Sequence, residues 1–167
     1  PALVPMSFDP AEWAPFAALA GLSLPVHIAT GKGKACGKFL EDLLFTHRGL
    51  SGPAVLQISS FWRPGEPLRI DLAPGQDLQT SLREAKSRSR KHLGNELALM
   101  LPARPAEATL GDLAARPLAE VRDKDLTALA ERLQRWQLIP TGTEGYRKAE
   151  VTAGGVSTRE VSSQSLG

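Results

Sequence analysis

The stretch LLFTHRGLSGPAVLQISSFW, Leu43–Trp62, decides how this chain is read. An apolar run stops at Thr46-His47-Arg48-Gly49, and Ser51-Gly52-Pro53 opens a second one. The apolar period then changes. Ala54, Val55, Ile58, Phe61 and Trp62 recur near i, i+1, i+4, i+7 and i+8, which is a helical face. Ser51 suits the N-cap, and Pro53 is tolerated in a first turn, where its missing N–H is not needed. A strand is the rival reading, since Val55 and Ile58 are β-branched, but Val55, Gln57 and Ser59 alternate poorly. The helix is favoured. A strand, a glycine-bearing loop and a helix in succession point to a mixed fold.

Toward the N-terminus, SLPVHIAT alternates Leu24, Val26 and Ile28 on one side, a strand pattern with His27 on the solvated side. Gly31–Lys34 reads as a hairpin turn into a second strand, or a bent pair of strands, ending at Thr46. Residues 9–20 open on Asp9 and Pro10, a cap and first-turn pair, and Pro15 keeps that helix short, with its end at Gly21.

Toward the C-terminus, LRIDLAPG returns to strand alternation through Leu68, Ile70 and Leu72. From residue 76 the text is helix-prone, with Leu78, Leu82 and Ala85 at i, i+4 and i+7. GNELALML reads as a further helix. In DKDLTALAERLQRW, Leu126, Leu129, Ala130, Leu133 and Trp136 form one stripe, Asp123 suits the cap, and Glu131–Arg135 is an i,i+4 pair. Strand-like text resumes after Trp136. The expected fold is therefore α+β: a β-rich, barrel-like subdomain from residues 1–75 and 137–167, with a small helical subdomain, 76–136, inserted.

Composition narrows the function classes. The chain has 167 residues, 42% hydrophobic and 23% charged, which suits a folded domain rather than a disordered one. No apolar run reaches the ~18 residues of a membrane span, so no membrane partner is expected. The single Cys36 cannot form an intramolecular disulfide and suits a reducing, cytoplasmic setting. Phosphate-loop patterns are missing: Gly31, Gly33 and Gly37 fit neither GxGxxG nor GxxxxGK[ST]. His27, His47 and His92 lack metal-ligand spacing, so no metal is expected.

Two features carry candidate chemistry. His47 lies where a strand gives way to a loop, beside Arg48, and is the weak catalytic candidate; the competing reading is a structural His bonded to the loop backbone. A hydrolase-like pairing of His47 with Ser51 lacks a GxSxG elbow. The basic run REAKSRSRKH sets Arg83, Lys86 and Arg90 on one helical face, a possible nucleic-acid or interaction surface. It has no aromatic residue to stack on bases, Glu84 and Glu96 dilute its charge, and the net charge is just +2. On these grounds a nucleic-acid partner is not expected.

LLFTHRGLSGPAVLQISSFW and AEVTAGGVSTREV, with PALVPM and ELALMLPARPAEATL, together resemble a bacterial family of NAD(P)/FAD-dependent oxidoreductases, the aminoacetone-oxidase-like and BaiN-like flavoproteins. The resemblance runs along essentially the whole chain. It implies the middle piece of a longer enzyme, an insert domain flanked by a Rossmann-like FAD-binding region and a C-terminal FAD segment. The missing initiator Met and missing GxGxxG fit that expectation. The resemblance further implies FAD in the full-length protein, with NAD(P)H as donor or oxygen as acceptor, and none held by this piece alone. The insert would cover the flavin and shape a pocket for a small-molecule substrate. Thr46, His47, Arg48, Ser51, Gly52 and Pro53 would face that pocket. Thr152, Ala153, Gly154, Gly155 and Val156 would approach the flavin.

Overall fold

The computed structural model describes residues 5–101 and 110–143. Strand β1, Met6–Ser7, leads into helix α1, Pro10–Ala17. Pro10 takes the first helical position, and the Asp9 side chain makes no capping hydrogen bond. With Pro15 in its interior the helix lasts eight residues, and the chain reverses through Gly21 at φ +94°.

The alternation in SLPVHIAT becomes β2, Ser23–Thr30, with Leu24, Val26 and Ile28 buried and His27 exposed. A turn through Gly31 and Gly33 leads into β3, Gly37–Phe45, paired with β2 from Ser23↔Leu44 to Thr30↔Gly37. Next come β4, Gly49–Ser51, then helix α2, Gly52–Ile58, and β5, Leu68–Asp71. Two late strands, β6, Trp136–Leu138, and β7, Gly142–Thr143, complete the sheet. Its order is β6-β5-β2-β3-β4-β1-β7, antiparallel throughout.

Helix α2 lays Ala54, Val55 and Ile58 against β2 and β3, so the helical reading of this stretch holds. It is shorter than its apolar period suggests. Phe61 and Trp62 follow its end, and Phe61 is 39% exposed. Ser51 does not cap it. That residue is held extended in β4 opposite Leu44, and its hydroxyl makes no capping bond.

Between β5 and β6 run α3, Leu78–Lys86, α4, Leu93–Ala98, and α5, Asp123–Gln134. Asp77 caps α3, accepting from the Thr80 N–H at 3.2 Å and the Thr80 hydroxyl at 2.9 Å. Asp123 is not the cap of α5. Arg122 occupies that position, and Asp123 opens the first turn, where an acid meets the positive end of the helix dipole. Leu126, Leu129, Ala130 and Leu133 are buried as the stripe requires. Trp136 leaves the stripe because the chain has already turned into β6. The fold class is α+β, as expected, and the buried apolar side chains of sheet and helices merge into one core.

Gln134, the last residue of α5, ties helices to sheet. Its Nε2 donates to the Ala73 carbonyl at 3.0 Å and the Gln76 carbonyl at 2.8 Å, and its Oε1 accepts from Leu78 N–H at 3.0 Å. Three backbone groups of the β5–α3 connection thus bond one amide. Gln134→Ala removes the Gln134 bonds to the Gln76 carbonyl and Leu78 N–H, while the Ala73 carbonyl keeps the Gln76 N–H at 3.2 Å. It is expected to lower stability by about 2 kcal/mol. A urea midpoint unchanged from the parent would contradict this.

Candidate functional site

The Thr46–Gly49 turn between β3 and β4 is pinned by its own residues and by the N-terminal segment. Thr46 N–H donates to the Gly49 carbonyl at 2.9 Å, and Gly49 N–H donates to Thr46 Oγ1 at 3.0 Å. The indole N–H of Trp13 donates to the Thr46 carbonyl at 3.0 Å. Phe8 N–H donates to the Arg48 carbonyl at 3.1 Å. Thr46 is therefore a turn builder, and the turn presents His47 and Arg48 outward, both exposed.

The two glycines differ in kind. Gly52 sits at φ +88°, and a Cβ there would also stand 2.9 Å from the Leu44 backbone nitrogen. Gly49 does not have a positive φ, but a Cβ would collide with the Met6 carbonyl oxygen and the Phe8 ring. Close approach, not turn geometry, demands glycine at Gly49.

His47 and Arg48 border a groove of about 340 Å³ against α1, floored by Phe8, Pro10 and Trp13. Ser51, Gly52 and Pro53 stand at the far end of β4, at the start of α2, and do not line it. The structure thus joins His47 and Arg48 to α1 rather than to Ser51. Thr152, Ala153, Gly154, Gly155 and Val156 lie outside the described residues.

A second groove, about 250 Å³, crosses the open face of the sheet. Lys38, Ala29, Arg69 and Gln137 form one row across four strands, and His27 and Asp71 stand opposite each other in the next. Sequence reading missed it, because strand order is not visible from alternation alone. At about 340 and 250 Å³ the two grooves lie near the low end of the ~300–1,000 Å³ of pockets for drug-sized ligands.

The expected basic face of Arg83, Lys86 and Arg90 does not form. Helix α3 ends at Lys86, so Arg90 lies beyond it. Arg83 and Lys86 are used inside the molecule: Arg83 Nη2 donates to Thr127 Oγ1 at 3.2 Å, and Lys86 Nζ pairs with Asp123 at 3.0 Å. The exposed cations of this run without a side-chain partner among the described residues are Arg88, Arg90 and Lys91, on the turn between α3 and α4. That turn is braced from below. Glu96, 6% exposed, accepts from the Ser89 hydroxyl at 2.7 Å, and Ser89 Oγ accepts from Lys91 N–H at 3.1 Å. Lys91 carbonyl accepts from Leu118 N–H, and Leu93 N–H donates to the Arg116 carbonyl, which sets Arg116 beside the turn.

Two carboxylates here are held below their ordinary value near 3.8. Asp123 is lowered by the Lys86 hydrogen bond and then by its charge, and Asp77 by the Thr80 hydroxyl and backbone bonds. A lowered folded pKa contributes stability above the unfolded value and loses it as pH falls through the folded one. Asp77→Asn and Asp123→Asn together are therefore expected to flatten the acid limb of the stability profile below about pH 4. Urea titrations from pH 2 to pH 6 read this; a parallel acid limb in the double variant refutes it.

Among the described residues, no three His, Cys, Asp or Glu side chains gather as metal ligands, and no helix is long and apolar enough to cross a membrane.

The family model of the HI0933-like protein barrel and H2TH domain matches residues 1–151. The chain belongs to this family. It is 48% identical over 151 residues to a ribosomal RNA dihydrouridine synthase of Escherichia coli (strain K12), covering 89% of this chain and 37% of that protein. It is 42% identical over 153 residues to the ribosomal RNA dihydrouridine synthase of Haemophilus influenzae, again over 89% and 37%. The chain thus spans a little over a third of these relatives.

The family agrees with the resemblance drawn from the sequence, but the function drawn from it is overturned. Both relatives are named as RNA-modifying enzymes. This displaces the expected small-molecule NAD(P)/FAD oxidoreductase insert, with its small-molecule substrate and no nucleic-acid partner. It favours the alternative of a nucleic-acid-binding module. The reason is physical: net charge averages over the whole chain and missing aromatics speak to base stacking alone, whereas RNA is also held through its phosphates by a local cluster of cations.

Proposed function

We propose that this chain is an RNA-engaging portion of a ribosomal RNA dihydrouridine synthase. The observation that carries the reading is 48% identity over 151 residues to such an enzyme. The outward cations of the α3–α4 turn support it. A ribosomal RNA substrate implies work in the cytoplasm.

Turning uridine into dihydrouridine saturates the C5–C6 bond of the uracil ring, which takes a hydride at one carbon and a proton at the other. Side chains move protons but do not donate hydrides, so the hydride comes from a redox cofactor. FAD, with NAD(P)H as reductant, is the proposal for the whole protein.

The proposed division of labour follows the expected boundaries. The β-rich unit, residues 1–75 and 137–167, carries the Thr46–Pro53 segment on the substrate side, with Thr152–Val156 toward the cofactor. The helical unit, 76–136, holds RNA. In this reading His47 and Arg48, at the mouth of the α1 groove, meet the RNA near the reacting base.

Nucleoside mass spectrometry of ribosomal RNA tests the reading. Cells lacking the full-length protein should lose one dihydrouridine, and re-expression should restore it. An unchanged dihydrouridine content in the deletion strain overturns it.

A further inference from the structure

We propose that the turn Ser87–His92, together with Arg116, is the surface that grips the phosphate backbone of the RNA, and that buried Glu96 sets its shape. The inference rests on the RNA reading above and adds where and how contact is made. Two sets of cations bear on this among the described residues; Lys32, Lys34, Lys38, Arg63 and Lys124 are exposed as well but lie on other segments. Arg83, Lys86, Arg122 and Arg135 bond Thr127, Asp123, Asp125 and Glu131. Arg88, Arg90, Lys91 and Arg116 have no side-chain partner among the described residues, and all four are exposed. They are also brought together. Three share one turn, and the pairing of His92 with Pro117 sets Arg116 one residue away on the neighbouring segment. The exposed acids nearby are Glu84, Asp112 and Glu120, which flank the turn rather than lie within it.

The partner follows from the chemistry. Four unneutralised cations attract a polyanion, and the turn holds no Phe, Trp or Tyr to stack on a base, with His92 its one flat ring, so the contact is chiefly to phosphates and carries little sequence preference. What distinguishes this patch from any exposed cluster is its bracing. The Glu96 carboxylate holds the Ser89 hydroxyl, which in turn holds Lys91 N–H, so the backbone between the cations is fixed before RNA arrives. A preformed cationic turn loses less conformational entropy on binding than a mobile one. Glu96 is thus a positioning residue, touching no RNA itself.

The test uses the full-length protein and a fluorescently labelled ribosomal RNA fragment, with anisotropy followed against KCl concentration. Arg88→Glu, Arg90→Glu and Lys91→Glu combined should weaken binding by about 100-fold and reduce the slope of log K against log salt by about 2. A control with the same change in net charge, Lys32→Glu, Lys34→Glu and Arg63→Glu, should lose less than about threefold. Glu96→Ala should lose about tenfold and Glu96→Gln, which still accepts from Ser89, should bind as the parent does. Where Glu96→Ala fails a circular-dichroism check of folding, Ser89→Ala takes its place with the same expectation.

Equal losses in the two triple variants, or none in the first, overturn the surface. Equal binding by the Glu96 or Ser89 variants and the parent overturns the bracing. Dihydrouridine formation is measured separately. A parent that forms dihydrouridine while the turn variant binds normally refutes the turn alone, and a parent that binds through the turn but forms none refutes the functional reading alone.

Discussion

Gly49→Ala is expected to destabilise the fold by about 3 kcal/mol or more, chiefly through overpacking against backbone. A single methyl group is added, and φ does not forbid it. What forbids it is the Met6 carbonyl, which sits where the Cβ must go, with the Phe8 ring 2.9 Å away. A flexible side chain could swing aside; a carbonyl in a β ladder cannot. Met6 pairs with Leu50 on one side and Thr143 on the other, so β1 must separate from β4 to make room. Because β1 joins β7 to the rest of the sheet, the loss spreads to that edge. Gly65→Ala is the control. Gly65 has φ +90°, and a methyl group there would meet nothing within 4 Å, so it carries just the conformational penalty, about 1 kcal/mol. Chemical denaturation of the two variants separates the causes: similar losses would mean that close packing at Gly49 is not what matters.

The parts of this fold that the sequence makes legible are those governed by local periodicity. Leu24, Val26 and Ile28 announce β2, and Leu126, Leu129 and Leu133 announce α5, because strand and helix each bury one side of a repeating pattern. Caps are less legible. Ser51 and Asp123 have the right chemistry for caps but are claimed by other partners, the β ladder and Lys86. Asp77 caps α3, and its sequence signal is the short D-x-x-T spacing, which many turns share. The candidate site shows the same divide. His47 and Arg48 can be placed on a loop, yet that their groove is built with α1 depends on a contact between residues 33 apart, Trp13 to Thr46. The basic run is visible as composition. Which of its cations are spent internally depends on α3 packing against α5, and no spacing rule reports that. The same tract therefore looks diluted in the sequence and is concentrated on a turn in the fold.

Trp13→Ala is the second large effect expected, about 3–5 kcal/mol, because it empties a buried aromatic site. Trp13 is 2% exposed and meets three rings: Phe8 stacked at 4.8 Å, Phe16 at 5.1 Å and Phe45 at 6.1 Å. It also donates the hydrogen bond that fixes the Thr46 carbonyl, so packing and site geometry converge on one side chain. Trp13→Phe separates them. Phenylalanine keeps an aromatic ring among the three neighbours but leaves the Thr46 carbonyl without its donor, at a cost of about 1–2 kcal/mol. The two variants should accordingly differ in kind as well as size. The alanine variant should lose stability globally, seen as a lowered urea midpoint. The phenylalanine variant should stay folded yet show faster amide exchange at Thr46 and Gly49, whose mutual bonds rely on a fixed turn. Exchange at those two amides that matches the parent would show that the turn stands without Trp13, and that α1 is merely adjacent to the groove rather than the element that shapes it.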